Sequence, residues 1–238
     1  MEPDYGIDAP GVVRNFFVIG LALLAIACFR PVLHFGQASL RLLPTTLLTG
    51  TFLVVEGSLM VLYAKWGKFR HRDRMLAMVD WRGDELVLDV GTGRGLLMIG
   101  AAHKLSSGKS VGIDVWSGKD LSGNSMQNTL RNAELEGVRD RVEVRSEDAT
   151  AMQFPDATFD VVLSNLCLHN IPSAEARRHA CREMIRVLKP GGRALISDFK
   201  NTGDYAKAFR SQNTAVKVGA LCLFDTFPPL RIVQVDKT

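Results

Sequence analysis

The sequence predicts an α/β domain, doubly wound around a mostly parallel seven-stranded sheet and preceded by two hydrophobic helices. Three observations carry this. From Glu85 onward, short β-branched or apolar runs alternate with helix-length segments, as a parallel sheet wrapped by helices requires. The first run, Leu86-Val-Leu-Asp-Val, ends in the glycine-rich turn Gly91-Thr-Gly-Arg-Gly95 and passes into the apolar Leu96-Leu-Met-Ile-Gly-Ala-Ala. Ahead of this lie two stretches that are apolar on every side rather than on one helical face.

At 238 residues and 47% hydrophobic content, the chain can bury one full-sized core and keep about a quarter of its length for an appendage. The pattern divides it into an apolar helical hairpin over 1–64, a basic linker or cap helix over 65–83 and a ligand-binding domain over 84–238. The first apolar stretch, from about Val12 to Phe29, has no charge between Arg14 and Arg30, which can snorkel at its two ends. A cleaved signal peptide is disfavoured, because the extreme N-terminus is acidic at Glu2, Asp4 and Asp8. The second stretch, Leu42 to Ala64, is interrupted only by Glu56 and is long enough to span a bilayer.

Tyr63 and Trp66 read as an interfacial aromatic anchor, and Lys65, Lys68, Arg70, Arg72 and Arg74 as a positive-inside flank. That places both ends of the hairpin, and the domain after it, on the cytoplasmic face. Arg30, His34 and Arg41 in the connecting loop oppose this orientation, and a soluble helical cap is the alternative to a membrane anchor. The net charge of +4 comes largely from the one cluster beside the apolar stretch, which favours a membrane edge over a nucleic-acid groove. Cys28, Cys167, Cys181 and Cys222 lie far apart and make no metal-ligand spacing, so no metal is expected.

Within the domain, strands are expected over 86–90, 110–115, 142–146, 159–164 and 193–198. The last apolar runs, 216–224 and 230–236, flank the turn-like Asp225-Thr-Phe-Pro-Pro and predict a closing antiparallel hairpin at the sheet edge. Glycines at 91, 93 and 95 let backbone approach a ligand at the carboxyl end of the first strand, where open α/β sheets bind ligands. A dinucleotide fingerprint would need a sixth-position glycine, and Leu96 stands there. Asp114 closes the second strand 25 residues after Asp89, where an acid can accept hydrogen bonds from ribose hydroxyls.

Five landmarks in order, Asp89 to Gly95, Asp114, Glu147-Asp-Ala149, Phe159 to Asn165 and Leu188-Lys-Pro-Gly-Gly192, resemble the motifs of class I S-adenosylmethionine-dependent methyltransferases. The late motifs look most like the branch containing ubiquinone and menaquinone C-methyltransferases (UbiE-like, methyltransferase type 11). The resemblance implies a Rossmann-like methyltransferase fold with S-adenosyl-L-methionine as cofactor. It places Asp89, Gly91, Thr92, Gly93 and Gly95 in the first cofactor motif, Asp114, Val115 and Trp116 at the ribose and adenine, Asp148 and Ala149 at the adenine amino group, and Asn165 near the methyl.

Methyl transfer asks mainly for alignment, so no catalytic triad is expected. Among Asn165, Leu166, Cys167, Leu168 and His169, the candidates for a catalytic role are His169, as a base titrating near neutrality, and Asn165. His169 can equally hydrogen-bond its own loop. The segment 116–133 inserts a polar loop where the family starts a helix; Trp116 there is a candidate to stack on adenine, and Lys119 and Asn124 to touch cofactor or substrate.

A membrane hairpin favours a lipophilic acceptor of quinone or lipid type, with no nucleic-acid partner. Arsenite, whose methylation in the family uses several cysteines, is a second possibility. Outside the family, a nicotinamide oxidoreductase lacks its fingerprint here, a degenerate noncatalytic membrane protein would not need intact acids, and an RNA methyltransferase would need a basic, aromatic face.

Overall fold

The computed structural model describes residues 2–29, 32–35, 38–212 and 214–238; over 33–41 it describes backbone only. Arg30 therefore lies outside the described residues, as do the side chains of His34 and Arg41.

Helices α1 (Pro10–Phe29) and α2 (Leu43–Leu62) pack antiparallel across a short two-stranded turn, β1 (Val32–Phe35) and β2 (Ala38–Arg41). They touch where side chains are smallest. A Cβ on Gly20 would sit 3.0 Å from the Gly50 carbonyl oxygen, and one on Gly50 would sit 2.9 Å from that of Gly20. Glycine at both positions lets the two backbones approach this closely. The outward faces stay apolar and uncovered, Val18 at 62% and Leu48 at 71% exposure. Beyond Leu62 the helix loosens into a π-turn, Tyr63–Gly67, and resumes as α3 (Lys68–Leu76).

The domain alternates β3 (Leu86–Val90), α4 (Leu96–Ala102), β4 (Lys109–Asp114), α5 (Met126–Leu135), β5 (Val142–Ser146), β6 (Phe159–Asn165), α6 (Ala174–Val187), β7 (Leu188–Asp198) and α7 (Thr202–Arg210). It closes with β8 (Thr214–Cys222) and β9 (Leu230–Lys237). The seven strands lie in the order β5-β4-β3-β6-β7-β9-β8, the first five parallel and β9 antiparallel to both neighbours. This is the doubly wound sheet and edge hairpin expected from the sequence. The side-chain period of two splits each central strand between two cores. Val87, Leu163 and Leu195 face α3 and α4, while Leu88, Val162 and Ile196 face α6 and α7.

Two local features add to the sequence reading. Lys189 to Gly192 interrupt the pairing of β7 with β6: Phe159 pairs with Leu188, and the next pair is Val161 with Arg193, so four residues stand opposite Asp160 alone. The N-terminal residues, read as part of the hairpin segment, lie instead on the domain. Ile7 and Ala9 pair with Ser122 and Asp120 of the inserted loop, through Ser122 N–H to the Ile7 carbonyl at 3.0 Å and Ala9 N–H to the Asp120 carbonyl at 2.8 Å. The insertion after β4 is thus the surface on which this N-terminal strap docks. Tyr5 is 5% exposed, packs against Met98, Ile99 and Ala133, meets Phe69 edge-on and donates to Glu136 at 3.0 Å. Replacing Tyr5 by Ala should cost about 3 kcal/mol through the cavity left behind, and by Phe only about 1 kcal/mol, as read by denaturant unfolding. Equal losses would mean the ring is not buried in solution.

Candidate active site

The chain runs from β3 outward to β5, then returns to β6 and β7 on the other side, so the carboxyl ends of β3 and β6 border a crevice. A cavity of about 460 Å³ occupies it, within the roughly 300–1,000 Å³ usual for small-molecule sites. Sheet order lays its wall out in sequence. Asp148 follows β5, Asp114 ends β4, the glycine turn follows β3 and Asn165 ends β6.

The glycine turn is held by backbone and acid. Gly91 and Thr92 N–H groups donate to the Ile113 carbonyl at 2.9 and 3.0 Å, and Gly93 N–H donates to Asp114 Oδ2 at 2.8 Å. Gly91 has φ +73°, and a Cβ there would overlap Cys167 Sγ at 2.2 Å, so no other residue fits. Asp89 lies beneath the turn, fully buried, its Oδ2 accepting from Thr92 Oγ1 and Met98 N–H, both at 2.9 Å. Burial pushes its carboxyl up to about 7 despite those two donors, and the Asp114 charge adds to the rise.

Asp114 Oδ1 accepts from Trp116 N–H at 2.6 Å and from Asn124 Nδ2 at 3.3 Å. A carboxylate offers about four acceptor sites, so about one stays open toward the cavity. Asp148 caps its own turn through Thr150 at 2.7 Å, with Ala149 beside it on the cavity wall.

Of the residues singled out from sequence, Asp89, Gly91, Thr92, Gly93, Asp114, Val115, Asn124, Asp148, Ala149 and Asn165 line this one cavity, and Gly95 forms the back of its turn with φ +89°. Trp116, His169 and Lys119 are not on the wall. The Trp116 ring is tied to Ser146 Oγ at 2.7 Å. His169 donates its backbone N–H to Asp198 Oδ2 at 3.2 Å and its ring meets Phe199 edge-on, an arrangement that holds the loop after β6 to the end of β7; its Nδ1 stands 2.9 Å from Asp198 Oδ1 without hydrogen-bond geometry. Asp198 is fully buried and also accepts from Tyr205. Cys167 lies on the wall, and burial holds its thiol far above the ordinary range and so neutral.

Among the wall residues that the sequence did not mark as site residues are Tyr5, Asp8, Tyr63 and Lys68, all from outside the sheet domain. Lys68, read from sequence as part of a solvated basic flank, is 3% exposed and donates to the Tyr5 and Gly6 carbonyls at 2.8 and 2.6 Å. Tyr63 is buried rather than interfacial, while Trp66 is 63% exposed, because the π-turn rotates the two to opposite sides.

Residues 88–196 match a family model described as a methyltransferase domain. The match takes in just under half of the chain. In fold the chain is similar to geranyl diphosphate C-methyltransferase from Streptomyces coelicolor A3(2), solved with S-adenosyl-L-homocysteine, with a TM-score of 0.58 at 14% identity, covering 71% of this chain and 77% of that one.

In sequence, the chain is 33% identical over 130 residues to 27-O-demethylrifamycin SV methyltransferase of Amycolatopsis mediterranei, covering 55% of this chain and 44% of that protein. It is 28% identical to the demethylmenaquinone methyltransferase of Symbiobacterium thermophilum, covering 70% and 59%. The chain thus spans between 44% and 62% of the length of the first such relatives. The N-terminal helices fall outside the family match.

The residues present fit S-adenosylmethionine as cofactor. The glycine cradle leaves no room for a Cβ, an acid stands at the end of each of β4 and β5, and Asn124 and Asn165 each keep a buried side-chain oxygen without a partner.

Proposed function

We propose that the chain is a membrane-anchored methyltransferase that uses S-adenosyl-L-methionine to methylate a lipophilic acceptor of quinone or lipid type, with its catalytic domain on the cytoplasmic face. The observation that carries the reading is one cavity shared by Asp89, the 91–95 turn, Asp114 and Asp148, spaced along the sheet as an extended adenosyl ligand requires. The bound cofactor supplies an electrophilic methyl on a sulfonium centre.

In this assignment Asp89 and the Gly91-Thr92-Gly93 backbone hold the charged amino-acid end. Asp114 and Val115 take the ribose, Asp148 and Ala149 the adenine amino group, and Asn165 stands at the methyl end. Trp116 acts by shaping the loop after β4, through its N–H to Asp114, rather than by stacking on the wall. His169 holds its loop against Asp198. Asn165 is the better placed of the two catalytic candidates, because it alone borders the cavity.

The anchor rests on α1 and α2. Each has 20 residues, about 30 Å of helix and the thickness of the hydrocarbon core. A soluble cap would bury its apolar faces, whereas here they point outward. Lys65 and Arg70 stay exposed at the domain end of the hairpin, the side a cytoplasmic flank occupies. Attachment of this kind raises the local concentration of a bilayer-dissolved acceptor without demanding a tight pocket.

Calorimetric titration of the detergent-purified chain with S-adenosylmethionine, S-adenosylhomocysteine and NAD tests the reading. Saturable binding of both adenosyl ligands and none of NAD is expected. Binding of neither adenosyl ligand would identify a domain that has lost its chemistry.

A further inference from the structure

The cavity is larger in purpose than a cofactor seat. Its wall past Asn165 is made by residues that the family match does not cover, Asp8 from the N-terminal strap and Tyr63 and Lys68 from the helix that leaves the hairpin. Three polar atoms there are buried and lack a hydrogen bond of ordinary geometry: Asp8 Oδ2, which has only the Lys68 ammonium at 3.9 Å, and the Tyr63 hydroxyl and Asn165 Oδ1, whose side chains lie beside each other. Buried polar atoms are almost always paired, so three such atoms on one cavity wall point to a ligand that completes them. Tyr63 is 4% exposed, so its ring is held in place by packing.

Their chemistry specifies what they take. Asp8 Oδ2 and Asn165 Oδ1 only accept, and the tyrosine hydroxyl can donate or accept. Burial raises the Asp8 carboxyl, and the charge of Lys68, 3.9 Å from Asp8 Oδ2 and already committed to the Tyr5 and Gly6 carbonyls, opposes that rise only in part. A hydroxyl pairs with two of the three at once: it donates to Asp8 or to Asn165 Oδ1 and accepts from Tyr63. A carboxylate or phosphate would face Asp8 unfavourably. Around the set the wall is apolar, with Leu166, Ile171 and Pro172.

Tyr63 is delivered by the π-turn that begins where α2 ends, and π-turns inside α-helices concentrate at functional sites. The pocket is therefore contiguous with the hairpin. We propose that Asp8 and Tyr63, with Asn165, form the acceptor subsite and recognise a hydroxyl group carried on an apolar body that reaches the cavity from the side of the hairpin. This deepens the methyltransferase reading and rests on it for the word acceptor. The site itself rests on the orphaned atoms.

The test uses the full-length chain in phosphatidylcholine nanodiscs, with empty nanodiscs as blank, and 2-naphthol as probe. Its methyl ether, 2-methoxynaphthalene, has the same body and no donor. Calorimetry is run with and without S-adenosylhomocysteine on the native chain, Tyr63→Phe and Asp8→Asn. The expected result is saturable naphthol binding that is weaker by about tenfold or more in each variant and for the ether, with S-adenosylhomocysteine affinity within about twofold throughout. Naphthol binding that is absent, or equal in all three proteins, overturns the subsite. So does a parallel loss of S-adenosylhomocysteine affinity in the variants, which would assign these residues to the cofactor. Failure of the native chain to bind S-adenosylhomocysteine would defeat the methyltransferase reading, while the naphthol comparison would still decide the subsite.

Discussion

Asp114→Ala should leave a folded chain whose affinity for S-adenosylmethionine has fallen by about a hundredfold or more. The substitution removes the acceptor for the Gly93 N–H, so the glycine turn loses its tie to β4, and the acceptor for the Trp116 N–H, so the loop after β4 loses its start. It also removes the open site assigned to a ribose hydroxyl. Hydrogen bonds to a charged group are worth about 1.5–3 kcal/mol each, and two of them lost from the bound state account for the factor. The fold survives because Asp114 lies at the end of its strand, outside the packed cores. Circular dichroism checks the fold and calorimetry the affinity; unchanged affinity would refute the ribose assignment. Asp114→Asn, which keeps one acceptor oxygen, should lose less.

Asp89→Asn should separate stability from binding. In the folded chain without cofactor the Asp89 carboxyl titrates at about 7, against 3.8 when unconstrained. Below about pH 4 both states hold the proton. Between there and about pH 7 only the folded state does, so each unit of rising pH lowers stability by up to about 1.4 kcal/mol, and the fall ends above the folded value. Asparagine carries no charge to desolvate and can still accept from Thr92 and Met98. The variant should therefore melt several degrees above the native chain at pH 8 and match it near pH 4.

A cationic ligand beside Asp89 favours the ionised carboxylate. Cofactor affinity of the native chain should then fall from pH 8 to pH 6, whereas the variant should bind about tenfold or more weakly at both. A native chain whose melting temperature is flat between pH 5 and pH 8 would show that Asp89 is ionised throughout.

The sheet was legible in the sequence because burial on both faces writes each central strand as an unbroken apolar run, and because the turn after β3 needs glycine where φ is positive. Asp89, Asp114 and Asp148 could be found for a related reason: each stands just past or within such a run. What was not legible depends on contacts between distant, aperiodic segments. Asp8 meets the loop at Leu121, and neither stretch carries a period that would pair them.

The direction of Tyr63 follows from one extra residue per turn in a helix whose composition does not change. Lys68 was counted with its neighbours as surface because charge is visible in sequence and burial is not. For His169 the reverse holds, since the residue type suited a base while its partner, Asp198, lies 29 residues on and turns it toward the loop.

The strap and the hairpin have one further consequence. The chain is bound to the domain immediately before α1, through Ala9, and again after α2, where Lys68 holds the strap and Met75 and Leu76 of α3 pack into the core beside Val87 and Leu97. A protein hung from a bilayer by a single flexible stalk can tumble and present any side to the lipid. One clamped at both roots of its anchor keeps a constant attitude, so every molecule in the membrane would face it with the same mouth and at the same height.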